Sequence, residues 1–302
     1  MSNLTLVTGG QRHRRRALGR DTLPYTLERA VLYGLLILLS VIFAIPLVWM
    51  VSTSLKPREL LFVFPPVWIP RPTMWGNYRE ALTFFPVVQY LGNTLYIAGF
   101  NVIGHLLSAS LVAYGFSRID WPGRDKVFIL VLSTMMLPGV VTMIPLYLFW
   151  RRVHLVGSST PLHGFGPLML PALFGGAFNI FLIRQFFMTV PEELCDAARI
   201  DGCAEPRIYS QIMLPLARPA MATVALFTFL GSWNDFMGPL IYLTSRDQYT
   251  LSLGLRQFQG QYRTDWNLLM AASTVITLPI IVLFFFTQKT FIQGVAFTGI
   301  KG

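Results

Sequence analysis

The residues of this sequence that could do chemistry are few, and none of them forms a catalytic or metal-binding pattern. Cys195 and Cys203 lie eight positions apart, without a metal-type spacing or a disulfide framework. We find no paired carboxylates and no nucleophile elbow. A G-x-x-x-x-G-K-[ST] phosphate loop is also absent. The sequence therefore predicts no enzyme, no metal site and no cofactor bound by this chain itself.

The segment 189–219 instead has the pattern of two short helices joined by a turn. Pro191 suits the first position of a helix, and Glu193 follows in the first turn, where acidic side chains favour the positive end of the helix dipole. Gly202 is a typical helix stop. A second helix is predicted to begin at Glu205, which precedes a proline.

The first of these helices carries a small apolar face beside acidic residues. Leu194, Ala197 and Ala198 recur at i, i+3 and i+4 and predict one narrow face of small side chains. Such a face suits docking into a groove of a partner, where Asp196 would meet a basic or amide group. An ordinary surface loop is the alternative interpretation.

The elements that hold this segment are predicted to lie in a membrane. Hydrophobic residues make up 54% of the 302 residues and charged residues only 13%, whereas soluble domains carry roughly 25% charge. A spanning helix needs about 20 apolar residues, and long charge-free stretches recur along the chain. Six spans are predicted: Arg29–Ser54, Gln89–Phe116, Val127–Trp150, Pro167–Met188, Pro219–Leu243 and Trp266–Gln288.

The first span follows a run of arginines between positions 12 and 20. It could be mistaken for a signal peptide, but its apolar stretch is too long for one, so we interpret it as an uncleaved anchor. We interpret the basic run as a topology signal rather than a nucleic-acid-binding patch. Residues 1–28 are thus predicted to be a basic cytoplasmic tail, and residues 29–302 one transmembrane domain that includes the 189–219 loop.

The distribution of basic residues predicts the orientation. With six spans both ends lie on one side, and most of the 24 lysines and arginines fall on that side. The positive-inside rule therefore predicts cytoplasmic ends and a cytoplasmic 189–219 loop. The segment Leu55–Val88, rich in proline, is predicted to be an ordered, non-helical cap on the outer side.

The 189–219 loop resembles the "EAA" loop of binding-protein-dependent ABC importers, whose pattern is E-A-A-x3-G-x9-I-x-L-P. The chain departs from it at the first position, where Asp196 replaces glutamate. Matching residues are Ala197, Ala198, Gly202, Ile212, Leu214 and Pro215.

The resemblance extends over roughly residues 29–302, to the carbohydrate-uptake family that includes the maltose permease. The chain is most similar to the second, six-span permease subunit of such importers. The run Ala197–Gly202 carries this similarity together with the motifs Asn77-Tyr78, Phe116–Arg118, Trp121–Arg124, Pro145–Tyr147, Gly231–Asp235, Phe291–Gly294 and Lys301-Gly302.

The resemblance implies an all-α permease of a bacterial or archaeal cytoplasmic membrane that moves a sugar by alternating access. In that family the loop couples the permease to a separate ATP-binding subunit, present in two copies, which holds ATP and Mg²⁺. A second homologous permease and an extracytoplasmic sugar-binding protein complete the assembly. The coupling residues implied are Glu193, Asp196, Ala197, Ala198, Asp201, Gly202, Ile212, Leu214 and Pro215.

Polar residues within the spans are candidates for the substrate pathway, because they usually face the interior of a helix bundle. Asp235 could equally serve helix packing near the outer end, and His105 could make an ordinary interhelical hydrogen bond. The candidates are Asn179, Trp233, Asn234 and Asp235, and then Asn101 and His105.

Three other functions compete with this interpretation. An ABC permease for phosphate, an amino acid or a peptide would keep the same loop. An ion-coupled transporter would show repeats and more ionisable residues within the membrane. A membrane-embedded enzyme would need a catalytic cluster, which the sequence lacks.

Overall fold

The computed structural model describes residues 22–157, 161–260 and 264–299, with side chains for 27–157, 164–260 and 264–288. The arginine run of the predicted tail lies outside the described residues. The described part is helical apart from loops and one isolated antiparallel bridge between Gln259 and Thr264. The α-helices are α1 Thr22–Ser54, α2 Gly76–Thr83, α3 Val87–Ser117, α4 Arg124–Ser133, α5 Gly139–Arg152, α6 Pro161–Met169, α7 Ala177–Thr189, α8 Glu193–Ile200, α9 Glu205–Ile208, α10 Leu214–Leu216, α11 Arg218–Asn234, α12 Met237–Tyr242, α13 Leu251–Leu255 and α14 Trp266–Gly299.

Four stretches are long and apolar enough to cross a membrane alone, and each corresponds to a predicted span. They are Leu27–Ser54, Val87–Ser117, Gly164–Thr189 and Trp266–Gln288. The third of these combines α6, a 3₁₀ turn at Leu170–Phe174 and α7. The all-α fold class is confirmed.

The two remaining predicted spans are bent, and their boundaries differ from the prediction. The expected span Val127–Trp150 consists of two helices that meet at 98°, because Pro138 forces the residue before it into an extended conformation. The expected span Pro219–Leu243 stops at Asn234, where Asp235 is extended. At its beginning, α11 meets the preceding helical segment at 77°.

The segment Leu55–Val88 is not entirely non-helical as predicted. It contains α2 and a 3₁₀ turn at Arg58–Leu60. The helix forms because the stretch Gly76–Thr83 has no proline, while the prolines of the segment lie on either side of it.

Helix α3 is the central element, and a hydrophobic cluster lies near each of its ends. At one end, Ala113 and Tyr114 of α3 pack with Phe187 of α7 and with the 189–219 loop. At the other end, Tyr90 packs with side chains from α2, α13 and α14, among them Leu268. Helix α1 lies outside this arrangement, since none of its apolar window is buried within the chain.

Candidate functional site

Helix α8 begins at Glu193 and ends in a tight glycine turn. Gly202 has φ +80°, a left-handed conformation that glycine adopts without steric cost. The N–H of Gly202 donates to the carbonyl of Arg199 at 3.0 Å, and the N–H of Cys203 donates to that of Ala198 at 2.9 Å. This pair of bonds is a Schellman motif, which satisfies the last carbonyls of the helix.

The two faces of α8 have different surroundings. Cys195 and Ala198 are buried in the cluster at the loop end of α3, whereas Leu194 and Ala197 are exposed and Ile200 is 86% exposed. The prediction that Leu194, Ala197 and Ala198 share one outward face was therefore wrong for Ala198. Its side chain belongs to the inward stripe that begins at Cys195, because residues three apart lie on the same side of a helix.

A chain of charged contacts crosses the turn. Asp196 and Arg199 form an ion pair at 2.8 Å within α8, and Arg199 donates to Glu205 at 2.8 Å. The second oxygen of Glu205 accepts a hydrogen bond from the hydroxyl of Tyr114 on α3. The bonds from Arg199 and Tyr114 lower the pKa of the Glu205 carboxyl from its ordinary value. Glu193 and Asp201 are exposed at the two ends of α8.

The second half of the loop returns the chain to the membrane helices. A π-helical turn, Tyr209–Met213, follows α9, and Ile212 packs against the loop-end cluster. Leu214 is half-buried and Pro215 exposed. Pro215 lies within the short α10, after which the chain bends into α11.

Sequence reasoning missed the part of Arg199, Glu205 and Tyr114 in this site. The pairing of Arg199 with Asp196 could have been found from their i, i+3 spacing. The contact between Tyr114 and Glu205 joins residues 91 positions apart, and no local pattern indicates it.

Two of the predicted pathway residues line a cavity of about 570 Å³ between α11, α13 and α14, which we call the α11–α14 cavity. They are Trp233 and Asn234. Trp233 is only 3% exposed, and its indole N–H has no hydrogen-bond partner among the described residues. Other polar residues that line the cavity are Ser252, Arg256, Gln259, Ser273 and Thr277.

The third predicted pathway residue, Asp235, lines a separate cavity of about 200 Å³, together with Asn101. Its Oδ1 accepts the N–H of Gly238 at 3.0 Å, and its backbone carbonyl accepts the hydroxyl of Ser252 at 2.5 Å. These bonds hold the break between α11 and α12. The bond of the carboxylate to Gly238 agrees with helix packing, the alternative that the sequence left open.

The fourth predicted pathway residue, Asn179, lies apart from both cavities. It is in the first turn of α7, beside Gly176 and His105. The chain breaks here at Gly175 and Gly176, which both have positive φ. Helix α3 stabilises the break, because His105 Nδ1 lies 3.0 Å from the carbonyl of Gly175 and Ser108 donates to that of Ala172 at 2.8 Å.

The described residues contain no group of three or more His, Cys, Asp or Glu side chains that could hold a metal ion. The polar groups that line the two cavities are amides, hydroxyls, an indole and single charged groups, all of which can form hydrogen bonds.

Comparison with known proteins relates the region that contains the 189–219 loop and the α11–α14 cavity to a transport family. The family model described as "Binding-protein-dependent transport system inner membrane component" matches residues 106–296. The arabinooligosaccharides transport system permease AraQ of Halalkalibacterium halodurans is 35% identical over 83% of this chain and 86% of its own length. The AraQ protein of Bacillus subtilis is 33% identical over 94% of this chain and 99% of its own length.

Solved structures show the same fold. A bacterial ABC transporter involved in the import of the acidic polysaccharide alginate matches with a TM-score of 0.73 and 23% identity, over 89% of this chain and 97% of that chain. The fold, the family match and the curated relatives agree. This chain is a member of the binding-protein-dependent inner membrane components, the permease subunits of ABC transporters.

Proposed function

We propose that this permease imports a sugar or oligosaccharide by alternating access, driven by a separate ATP-binding subunit that docks at the 189–219 loop. The observation that carries this proposal is the outward face of α8. Leu194, Ala197 and Ile200 are exposed there, while the inward face of the same helix is fixed in the loop-end cluster. Exposed apolar side chains on a helix whose other face is held in place are typical of an interaction site.

The chemistry of this face suits a groove on a partner. Ala197 permits close approach of the two backbones, and Ile200 supplies an apolar side chain that can enter a pocket. Asp196 is paired with Arg199, yet its side chain is 58% exposed, so it keeps acceptor capacity for a donor of the ATPase. Asp201 is a second exposed acid at the end of the helix.

The same proposal assigns the partner proteins and the cellular location. The ATPase, in two copies, binds ATP and Mg²⁺, a second homologous permease completes the pathway, and an extracytoplasmic protein delivers the sugar. Support comes from relatives whose names specify arabino-oligosaccharide and diacetylchitobiose uptake and from a structural neighbour in complex with an alginate-pentasaccharide-bound periplasmic protein. The charge bias of the sequence supports cytoplasmic ends and loop in a bacterial or archaeal cytoplasmic membrane.

The α11–α14 cavity is the substrate contact that we propose within this chain. The ring of Trp233 lines this cavity, and the exposed amide of Asn234 offers hydrogen bonds to sugar hydroxyls. We assign Asn179 a contact deeper in the pathway, at the break before α7. Asp235 acts indirectly, because it ends α11 directly after these two residues.

The test is purification of the tagged chain with its neighbouring transport subunits, reconstitution into liposomes and measurement of probe uptake and ATP hydrolysis. Arabinotriose and diacetylchitobiose are the probes. We expect the ATPase and a second permease to co-purify and at least one probe, delivered by the binding protein, to be taken up with ATP. A homo-oligomer without ATPase activity would overturn the proposal.

A charge placed on the outward face tests the docking assignment itself. Ile200→Asp should abolish co-purification of the ATPase, because it puts a carboxylate into an apolar contact. Gln211→Asp is the matched control, since Gln211 is exposed on the same loop but lies outside α8. Equal recovery of the ATPase with both variants would contradict docking at α8.

A further inference from the structure

We infer that Glu205 is a positioning residue that clamps the docking helix α8 to the membrane helix α3, so that the two move as one body. The inference rests on the proposed function, because it concerns how movement of a docked ATPase reaches the membrane. Glu205 is placed for this role at the start of α9, directly after the turn that ends α8. Its two carboxylate oxygens bind two different elements.

One oxygen, Oε1, accepts the Nε of Arg199 on α8 at 2.8 Å. The other, Oε2, accepts the hydroxyl of Tyr114 on α3. Arg199 also bonds Asp196 at 2.8 Å. A continuous polar chain therefore runs from the docking face, at Asp196, to the membrane helix, at Tyr114. Hydrogen bonds to ionised groups are roughly twice as strong as neutral ones, which makes the carboxylate the strong member of this chain.

Helix α8 needs such a clamp because it is only eight residues long, and a helix of this length is marginal by itself. Its burial relies on two small side chains, those of Cys195 and Ala198. Small side chains contribute little apolar area. Without the bonds of Glu205, a moving partner could slide α8 over the loop-end cluster. The movement would then not reach α3.

A second contact holds the loop on the same side of α3. The hydroxyls of Ser110 and Tyr209 lie 2.7 Å apart, and Ser110 precedes Tyr114 by one helical turn. The rings of Tyr114 and Tyr209 pack edge to face with centroids 5.3 Å apart. The loop is therefore attached to α3 at two positions one helical turn apart. Two attachments resist rotation about either contact alone.

Helix α3 continues without a break from this attachment to the wall of the α11–α14 cavity. At its far end, Asn93 donates to the carbonyls of Asp247 and Tyr249 at 2.8 and 3.0 Å. Thr94 accepts the N–H of Leu251, the first residue of α13. Since α13 contributes to the cavity wall, the clamp joins the docking surface to the proposed substrate contact through one helix.

The experiment compares Glu205→Ala, Glu205→Gln and Tyr114→Phe in the full reconstituted complex. The readout is the number of probe molecules imported per ATP hydrolysed, with whichever of arabinotriose or diacetylchitobiose the wild-type complex imports. We expect Glu205→Ala and Tyr114→Phe each to lower this ratio by about fivefold or more. The ATPase should still co-purify and hydrolyse ATP. Glu205→Gln should fall between wild type and Glu205→Ala, because the amide fits both positions but carries no charge.

The double variant and a control separate this role from a general structural one. Glu205→Ala with Tyr114→Phe should be no worse than Glu205→Ala alone, because both remove the same contact. Arg207→Ala is the control, since Arg207 lies on the same short helix but bonds Gln211 instead, and it should keep the wild-type ratio.

Three results would overturn the inference while leaving the proposed function intact: wild-type ratios in the variants, fully additive losses, or loss of the ATPase from the complex. A wild-type complex that imports neither probe with ATP would overturn the proposed function and this inference together.

Discussion

The turn at Gly202 allows a prediction that separates side-chain size from backbone conformation. The two causes predict different orders of disruption among substitutions at this position. An ideal Cβ at Gly202 would meet no atom within 4 Å, so a substitution causes no clash in this chain. Its φ of +80° is nevertheless unfavourable for other residues, at roughly 1–2 kcal/mol. Asparagine tolerates this region better than alanine, and β-branched valine tolerates it least.

We therefore expect disruption of the turn to increase from Asn to Ala to Val, although asparagine is larger than alanine. A cost of about 1–2 kcal/mol corresponds to about 5- to 30-fold less protection of the amides that close the turn. These amides belong to Gly202 or its replacement and to Cys203. Hydrogen exchange of peptides that cover 193–204, in the purified chain without its ATPase, measures the protection.

The wild-type chain and a substitution at the exposed Gln211 provide the controls for that experiment. If protection decreased with side-chain volume, so that Asn disrupted more than Ala, a steric explanation would replace the conformational one. If Val retained wild-type protection, the turn would not depend on the left-handed conformation, and our argument from Gly202 would be wrong.

Four further predictions concern orientation, docking, pH and substrate contact. A cysteine at the exposed Ser210 should react with an impermeant maleimide only from the cytoplasmic side, and labelling of intact cells above the parent background would reverse the orientation. Asp196→Lys should weaken ATPase binding at least ~10-fold, or about 1.4 kcal/mol, and unchanged co-purification would remove Asp196 from the contact. The pKa of Glu205 is lowered from the ordinary value of 4.5 by its two hydrogen bonds. Its stabilising effect on the loop is therefore present above about pH 4.5 and lost as the pH falls through the lower folded-state pKa, so protection from proteolysis should decline there in wild type and decline less in Glu205→Gln. Asn234→Ala, which removes the exposed amide that lines the cavity, should raise the apparent KM for uptake by about fivefold, as expected for one hydrogen bond of ~1 kcal/mol, and an unchanged KM would exclude that amide from the substrate contact.

The membrane helices could be predicted because the bilayer imposes a length and a composition on each one. The stretch 87–117 illustrates this, since the predicted and observed helices differ by two residues at most at either end. The bends could not be predicted in the same way. Pro138 was visible in the sequence, but a proline in a span causes either a small kink or the observed turn of 98°, depending on which neighbours satisfy the freed carbonyls.

The candidate site was predictable where the signal was local. Gly202 sets the end of the docking helix by backbone preference alone, whereas Pro191, predicted at the first helical position, lies two residues before α8 begins at Glu193. The inward placement of Ala198 was not predictable, because α3 and α7 decide which stripe of α8 is buried. The same limit applies to Glu205, whose partner Tyr114 is distant in sequence.

The carboxylate of Asp235 lies where α11 ends, directly after two residues of the proposed substrate contact. An acid within a predicted span usually marks a pathway, yet here the carboxylate accepts the N–H of Gly238 at 3.0 Å. The approach is close enough that a Cβ at Gly238 would come within 2.4 Å of the second carboxylate oxygen. This contact holds α12 against the end of α11, and so fixes where α11 stops. Trp233 and Asn234 are the last two residues before that stop, so the bond of Asp235 holds the chain directly after two of the residues that line the α11–α14 cavity.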